Sequence, residues 1–192
     1  GFLDRLRLAW QVEDQAVARL LSEVKEGGFK VETAEGMFFP VIDYRFCEKY
    51  RSAVTEDIKE YIEIMAIESD NVPAKDAAIV ISWEEVLQRA ARQEKFLERF
   101  GKSAKAGEMA QLFNKYVAFT LYGANNTPLF AYGSGKMDPE AEAAYSKAAS
   151  DPGESAYTKM LKEYMAVIKK NNGKLTDAVK AFRETAEERI KR

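Results

Sequence analysis

The chain has 192 residues, 46% of them hydrophobic and 31% charged, with 29 basic and 31 acidic side chains, one cysteine and no histidine. That composition fits a globular chain of one domain or two small ones, able to bury roughly 70% of its unfolded surface without disulfides or metal. Without histidine no Ser-His-Asp or Cys-His nucleophile can form, nor any imidazole zinc site, and the commonest acid–base group near neutral pH is missing. A net charge of −2 supplies no global field for nucleic acid or an anionic membrane.

Helical spacing dominates from the start. Leu3, Leu6, Trp10, Val17, Leu20, Leu21 and Val24 recur mostly at three- and four-residue steps, with a polar gap at Glu13-Asp14 and a stop at Gly27-Gly28. Phe29-Lys30-Val31 alternates, Ala34-Glu35-Gly36 turns and Met37-Phe38-Phe39 returns before Pro40, which predicts a small β-hairpin over 29–39. A lone two-stranded hairpin is barely stable in water, so its aromatic face is expected to lie on the helices. A short helix should follow Asp43, with Tyr44, Cys47 and Tyr50 or Arg51 on one side. Cys47 reads as a buried structural thiol and, being the only cysteine, allows no internal disulfide.

Thr55 is placed to cap a helix that opens with Glu56-Asp57 and ends near Ser69-Asp70-Asn71, ahead of Pro73. Ala77 to Ile81 is a short apolar run readable as a strand or a buried helical turn. Ser82-Trp83-Glu84-Glu85 is a capping box, opening a helix with Val86, Leu87, Ala90, Leu97 and Phe100 that Gly101 closes. Further helices are expected from about Ser103 to Tyr122, after Asp138-Pro139, up to Lys170, and after Thr176 with Val179, Phe182, Ala186 and Ile190 along one face. Breaks fall at Gly123 to Pro128, Asp151-Pro152-Gly153 and Asn171-Asn172-Gly173, and Leu129 to Met137 reads as a loop with aromatics. The fold expected is mainly α: seven to eight helices arranged as helical hairpins with one small β-hairpin, in a single domain over 1–192 with a candidate sub-boundary near 71–76.

Three helices echo one another, around Ile58 to Met65, Phe113 to Thr120 and Leu161 to Ile168. Each places an apolar residue, two polar ones, a tyrosine and a second apolar group, with Asn71, Asn125 or Asn171 in the turn beyond. Tyr61, Tyr116 and Tyr164 are expected at the edge of the core with hydroxyls reaching water. Phe96, Phe100, Ser103 and Ala106 match a second pattern: aromatic, three residues, aromatic, proline, any residue, serine, two residues, alanine. That stretch resembles the turn of tetratricopeptide-like helical repeats in bacterial cell-envelope lipoproteins. Gly101 departs from the proline, Met109 stands where a small residue is usual, and the resemblance covers about a sixth of the chain. It implies a helical-hairpin array in an exported scaffold or adaptor, and no catalytic residue.

Other constellations fail their chemical tests. Gly133-Ser134-Gly135-Lys136 lacks the first glycine of a phosphate loop, where Phe130 stands, and the hydroxyl after the lysine, where Met137 stands. Asp70 with Asp76 lacks the alternation of an EF-hand, and no metal or cofactor is indicated. Lys169-Lys170 and Lys191-Arg192 suit helix ends rather than a nucleic-acid patch. Glu68-Ser69 resembles the Glu-Ser of lysozyme-like transglycosylases, but no Gly-Leu-Met-Gln segment follows, so Glu68 is expected to be a solvated helix end.

The aromatics carry the remaining signal. Tyr116, Phe119 and Tyr122, then Phe130 and Tyr132, together with Asn125 and Asn126 could line a groove suited to a peptide or glycan. The function expected is therefore a non-enzymatic helical binding or scaffold protein with a protein or peptide partner. Gly1 in place of Met hints at an upstream signal, lipid anchor or membrane helix, or equally a tag, and favours an exported bacterial setting. The alternatives are an extracytoplasmic sensory ligand-binding domain, which requires both ends to lie side by side, and a carboxylate-based glycosidase centred on Glu68.

Overall fold

Helix boundaries follow their caps. In the computed structural model, which describes residues 15–34 and 36–190, α1 (Gln15–Glu26) leads into a hairpin of β1 (Phe29–Ala34) and β2 (Met37–Ile42). A 3-10 helix (Phe46–Ala53) and α2 (Glu56–Asp70) follow, then a short hairpin of β3 (Ala74–Lys75) and β4 (Ala78–Ile79). The chain continues with α3 (Trp83–Phe100), α4 (Ala106–Tyr122), a third hairpin of β5 (Gly123–Ala124) and β6 (Thr127–Pro128), α5 (Pro139–Ala149), α6 (Ala156–Lys170) and α7 (Asp177–Ile190). The protein is mainly α, as its periodicity predicts, with seven α-helices and one 3-10 helix among the described residues. Leu3, Leu6, Trp10, the Glu13-Asp14 gap and Lys191-Arg192 lie outside those residues.

Ser82, Asp138 and Ser155 each accept a hydrogen bond from a backbone N–H of the first helical turn, as good N-caps do. Thr55 sits at the cap of α2 with extended backbone, but its hydroxyl bonds Asp57 rather than a backbone N–H. The capping box at Ser82 is half formed. Ser82 Oγ accepts from the Glu85 N–H at 3.1 Å, while the Glu85 carboxylate turns to Arg89 and Asn71.

Helix α3 is the hub, packing against α2, α4, α5 and α6, and α7 closes the far side against α4 and α6. The main core runs from Ile79 and Trp83 through Phe113, Val117, Leu121, Tyr145, Leu161 and Met165 to Ile190. A smaller one joins Tyr61 and Ile64 of α2 to Phe96 and Met109, and Leu97 and Leu112 touch both.

Sequence reading found one hairpin where the described residues hold three. The two further hairpins use strands of two residues, too short for alternation to register, though the Ala77–Ile81 run, readable as strand or helical turn, does supply strand β4. The β3–β4 turn also puts Asp76 and Ala77 at positive φ (48° and 58°), where asparagine or glycine would have announced it. The two short hairpins clasp each other: the Asn126 N–H donates to Ala77 O at 2.9 Å and the Ile79 N–H to Thr127 Oγ1 at 3.1 Å. Gly123 has no substitute there, since at φ 78° an added Cβ would stand 2.4 Å from Thr127 O.

Three burial expectations are corrected. The hydroxyls of Tyr116 and Tyr164 do not reach water; they bond inside the fold, on Glu68 with Arg89 and on Leu121 O with Arg183, whereas the buried ring of Tyr61 points its hydroxyl at the exposed Glu108 on the edge of the smaller core. The aromatic face of the first hairpin does not lie on the helices. Register places Lys30, Val41 and Glu32 on one face, and Lys30 reaches Ser69 O and Asp70 at the end of α2. Phe29, Ile42 and Phe38 share the opposite face, and all three are exposed. Cys47 is only half-buried, a free thiol in the 3-10 helix.

Candidate functional site

The seven residues expected to share a groove are distributed over three places. Tyr116 is buried, its ring edge-on to the half-buried Phe119. Half-buried Tyr122 donates to Glu187 at 2.9 Å, and burial, reinforced by that bond, pushes its pKa up to about 12. The Arg183 guanidinium lies over the rings of Tyr122 and buried Phe130, at 5.1 and 4.7 Å. Asn126 is spent on the hairpin clasp, its Nδ2 donating to Asp76 O at 2.7 Å. Tyr132, 80% exposed, donates to Asn125 O at 3.0 Å, so only these two stand together in solvent with Asn126 beside them. The reason is helical geometry: at about 100° per residue, six positions place Tyr122 roughly 120° around α4 from Tyr116. A three-residue step keeps neighbours together but not the ends of the series, so Tyr116 and Phe130 present no surface to a ligand.

What α4 does build is a buried polar cluster that the sequence did not suggest. Tyr116 Oη lies 2.8 Å from both carboxylate oxygens of Glu68, and Arg89 Nη1 donates to Glu68 Oε1 at 3.2 Å and to Tyr116 Oη at 3.1 Å. Arg89 also holds Glu85 through Nε at 3.1 Å and through Nη2, and Asn71 Nδ2 donates to Glu85 at 3.3 Å. Glu68 is 8% exposed, so the expected solvated helix end is wrong. Position explains the misreading: the last turn of α2 ordinarily faces water, but here the Tyr116 and Arg89 side chains cover it.

Burial raises the Glu68 pKa, opposed by the Tyr116 hydroxyl and the Arg89 charge. Burial also raises the Tyr116 phenol, with the Glu68 carboxylate adding to it, so the phenol stays protonated and donates. Burial would lower Arg89, but its bond to Glu85 and its contacts with Tyr116 and Glu68 outweigh that and hold it charged. The cluster ties α2 to α3 and α4 with charge-assisted bonds. No local pattern marks it: Arg89 with Glu85 reads as an ordinary four-residue pair on the surface of α3.

Large apolar side chains are exposed elsewhere. Of ten such residues among those described, seven fall between 17 and 42: Val17, Leu20, Phe29, Met37, Phe38, Phe39 and Ile42. Phe38 and Met37, at 78% and 66%, are the most exposed of them. Register divides the hairpin's share between its two faces, Phe29, Phe38 and Ile42 on one and Met37 and Phe39 on the other.

The fold and these surfaces define a mainly α-helical protein with a buried carboxylate–guanidinium–phenol clamp and an apolar N-terminal face. The chain matches no family model, no curated protein and no solved structure. Among the described residues no group of three or more metal-ligating side chains converges, and no helix is long and apolar enough to cross a membrane.

Proposed function

We propose that the chain is a non-enzymatic helical binding or scaffold protein whose partner-binding surface is the apolar face of α1 and the β1–β2 hairpin. The supporting observation is the exposure of Phe29, Phe38 and Ile42 on one face of the hairpin, with Leu20 exposed on α1. Lys30 of β1 and Arg45, just beyond β2, both bond Asp70 and tether the hairpin beside the end of α2. An outward apolar face on a tethered hairpin suits a protein partner, because the aromatics supply contact area at low entropic cost. A photo-crosslinking phenylalanine derivative at position 38 should capture a discrete protein partner in the cells that make this chain. The same derivative at Val80, exposed just beyond β4, should not. No adduct from position 38, or the same adducts from both positions, overturns the assignment.

Burial of Glu68 favours a second reading, a carboxylate-based glycosidase in which a raised pKa would supply a general acid. Tyr116 and Arg89 occupy both carboxylate oxygens, which weighs against it. Release of sugar from chitin or peptidoglycan oligomers by the native chain, lost in Glu68→Gln, would move the assignment to this reading. The expectation that both chain ends lie side by side falls partly on residues 1–14 and 191–192, outside the described residues.

A further inference from the structure

A cavity of about 430 Å³ opens on the outer side of α3, lined by Glu60, Ala91, Arg92, Lys95, Phe96, Arg99 and Phe100. Six of the seven come from two adjacent rows of one helix at four-residue spacing: Ala91, Lys95 and Arg99 in one, Arg92, Phe96 and Phe100 in the other. Ala91 contributes only a methyl group, and that shortfall makes the hollow. Phe96 is buried and Phe100 half-buried, their ring centroids 5.3 Å apart, so the floor is aromatic.

Charge in the cavity is unbalanced. Arg92 is committed to Glu60 and Glu63 of α2, both at 2.9 Å, and so cancels the one carboxylate in the lining. Lys95 and Arg99 are exposed and bond no carboxylate among the described residues, although Arg99, after Lys59, helps to lower the Glu56 pKa. Arg99 lies over the Phe100 ring at 4.7 Å, which orients the guanidinium plane and leaves its N–H edge free for a planar anion. Two cations beside an aromatic floor fit an anionic head joined to a small apolar body lying along the helix.

We propose that this cavity binds a small amphipathic carboxylate, its head paired with Lys95 and Arg99 and its apolar body on Phe96 and Phe100. The site is separate from the apolar N-terminal face and does not rest on the function proposed for that face. Naphthoate serves as the probe, followed by two-dimensional NMR of the backbone amides of the full chain, with naphthylmethylammonium as the charge-reversed control. Amide shifts should concentrate on residues 91–100, and the cationic control should produce none there. Lys95→Gln/Arg99→Gln, on exposed positions that leave the core intact, should weaken naphthoate binding at least tenfold. Ala91→Phe, also at an exposed position, should block the hollow and abolish binding, while Phe38→Lys should leave it unchanged. Shifts centred on residues 17–42, equal binding of the cation, or unchanged affinity in the double variant would each overturn the proposal.

Discussion

Arg89→Met removes the cation from the buried cluster and nearly preserves side-chain length. In the native protein Arg89 gives one bond each to Glu68 and Tyr116 and two to Glu85. Without it, Glu85 stays partly in water, but Glu68 is left buried with a single phenol donor. Stripping one partner from a buried ion pair costs about 3–5 kcal/mol when the survivor must stay charged. Glu68 has an escape, because it can take a proton. A carboxyl with an ordinary value of 4.5 is protonated at pH 7 for about 3.4 kcal/mol, which caps its share of the loss. The native carboxyl already bears part of that desolvation, so the expected loss is about 2–3 kcal/mol at pH 7. Its pH dependence carries the diagnosis. A carboxyl whose folded pKa is raised binds more protons folded than unfolded, so stability falls as pH rises from 4.5 towards the folded value. Loss of Arg89 raises the carboxyl further than in the native protein, so the loss should shrink by up to about 1.4 kcal/mol per unit as pH falls from 7 towards the native folded value. Urea unfolding of both proteins at several pH values measures it, and adding Glu68→Gln to the variant should recover most of the loss at pH 7. A loss below about 1 kcal/mol at pH 7, or one independent of pH, would refute the idea of a desolvated charge held by Arg89.

Other expectations follow from the same structure. Tyr145→Phe deletes a fully buried hydroxyl that donates to Thr120 O at 2.7 Å, so urea unfolding should show a loss of about 1–2 kcal/mol. Gly123→Ala forces a Cβ to 2.4 Å from Thr127 O at positive φ, and thermal unfolding should register a cost of about 2 kcal/mol or more with the hairpin clasp disturbed. Asp138→Ala removes the cap bond to the Ala141 N–H and should cost about 1 kcal/mol by the same assay. Burial alone would raise Asp70, but bonds from Arg45 and Lys30 hold it below the usual carboxylate range. Its contribution is present above about pH 4 and lost as pH falls through that lowered value, so Asp70→Asn should flatten the acid limb of a stability–pH curve.

The helices were legible because local signals agree with the fold. Ser82 and Asp138 cap where their sequence context predicts, Gly101 and Asn171-Asn172-Gly173 stop helices α3 and α6, and the Val179–Ala186–Ile190 face of α7 enters the core. The candidate site was less legible. An aromatic series along α4 looked like one surface because neighbours three apart do lie together, yet rotation spreads the ends of the series over opposite partners. Glu68, by contrast, looked like a surface residue because nothing local says that Tyr116, 48 positions away, will cover it.

The sequence by itself determined the mainly α class, the helix placement and the lack of any imidazole in this chain, since those depend on composition and on periods of three to four residues. It also determined the first hairpin, whose alternation is local. Only the tertiary structure decided that this hairpin turns its aromatics outward, that α3 carries a cationic hollow, and that a glutamate, an arginine and a tyrosine from three helices share one buried bond network. Each of those depends on which elements meet, and burial and charge pairing are set by neighbours distant in sequence.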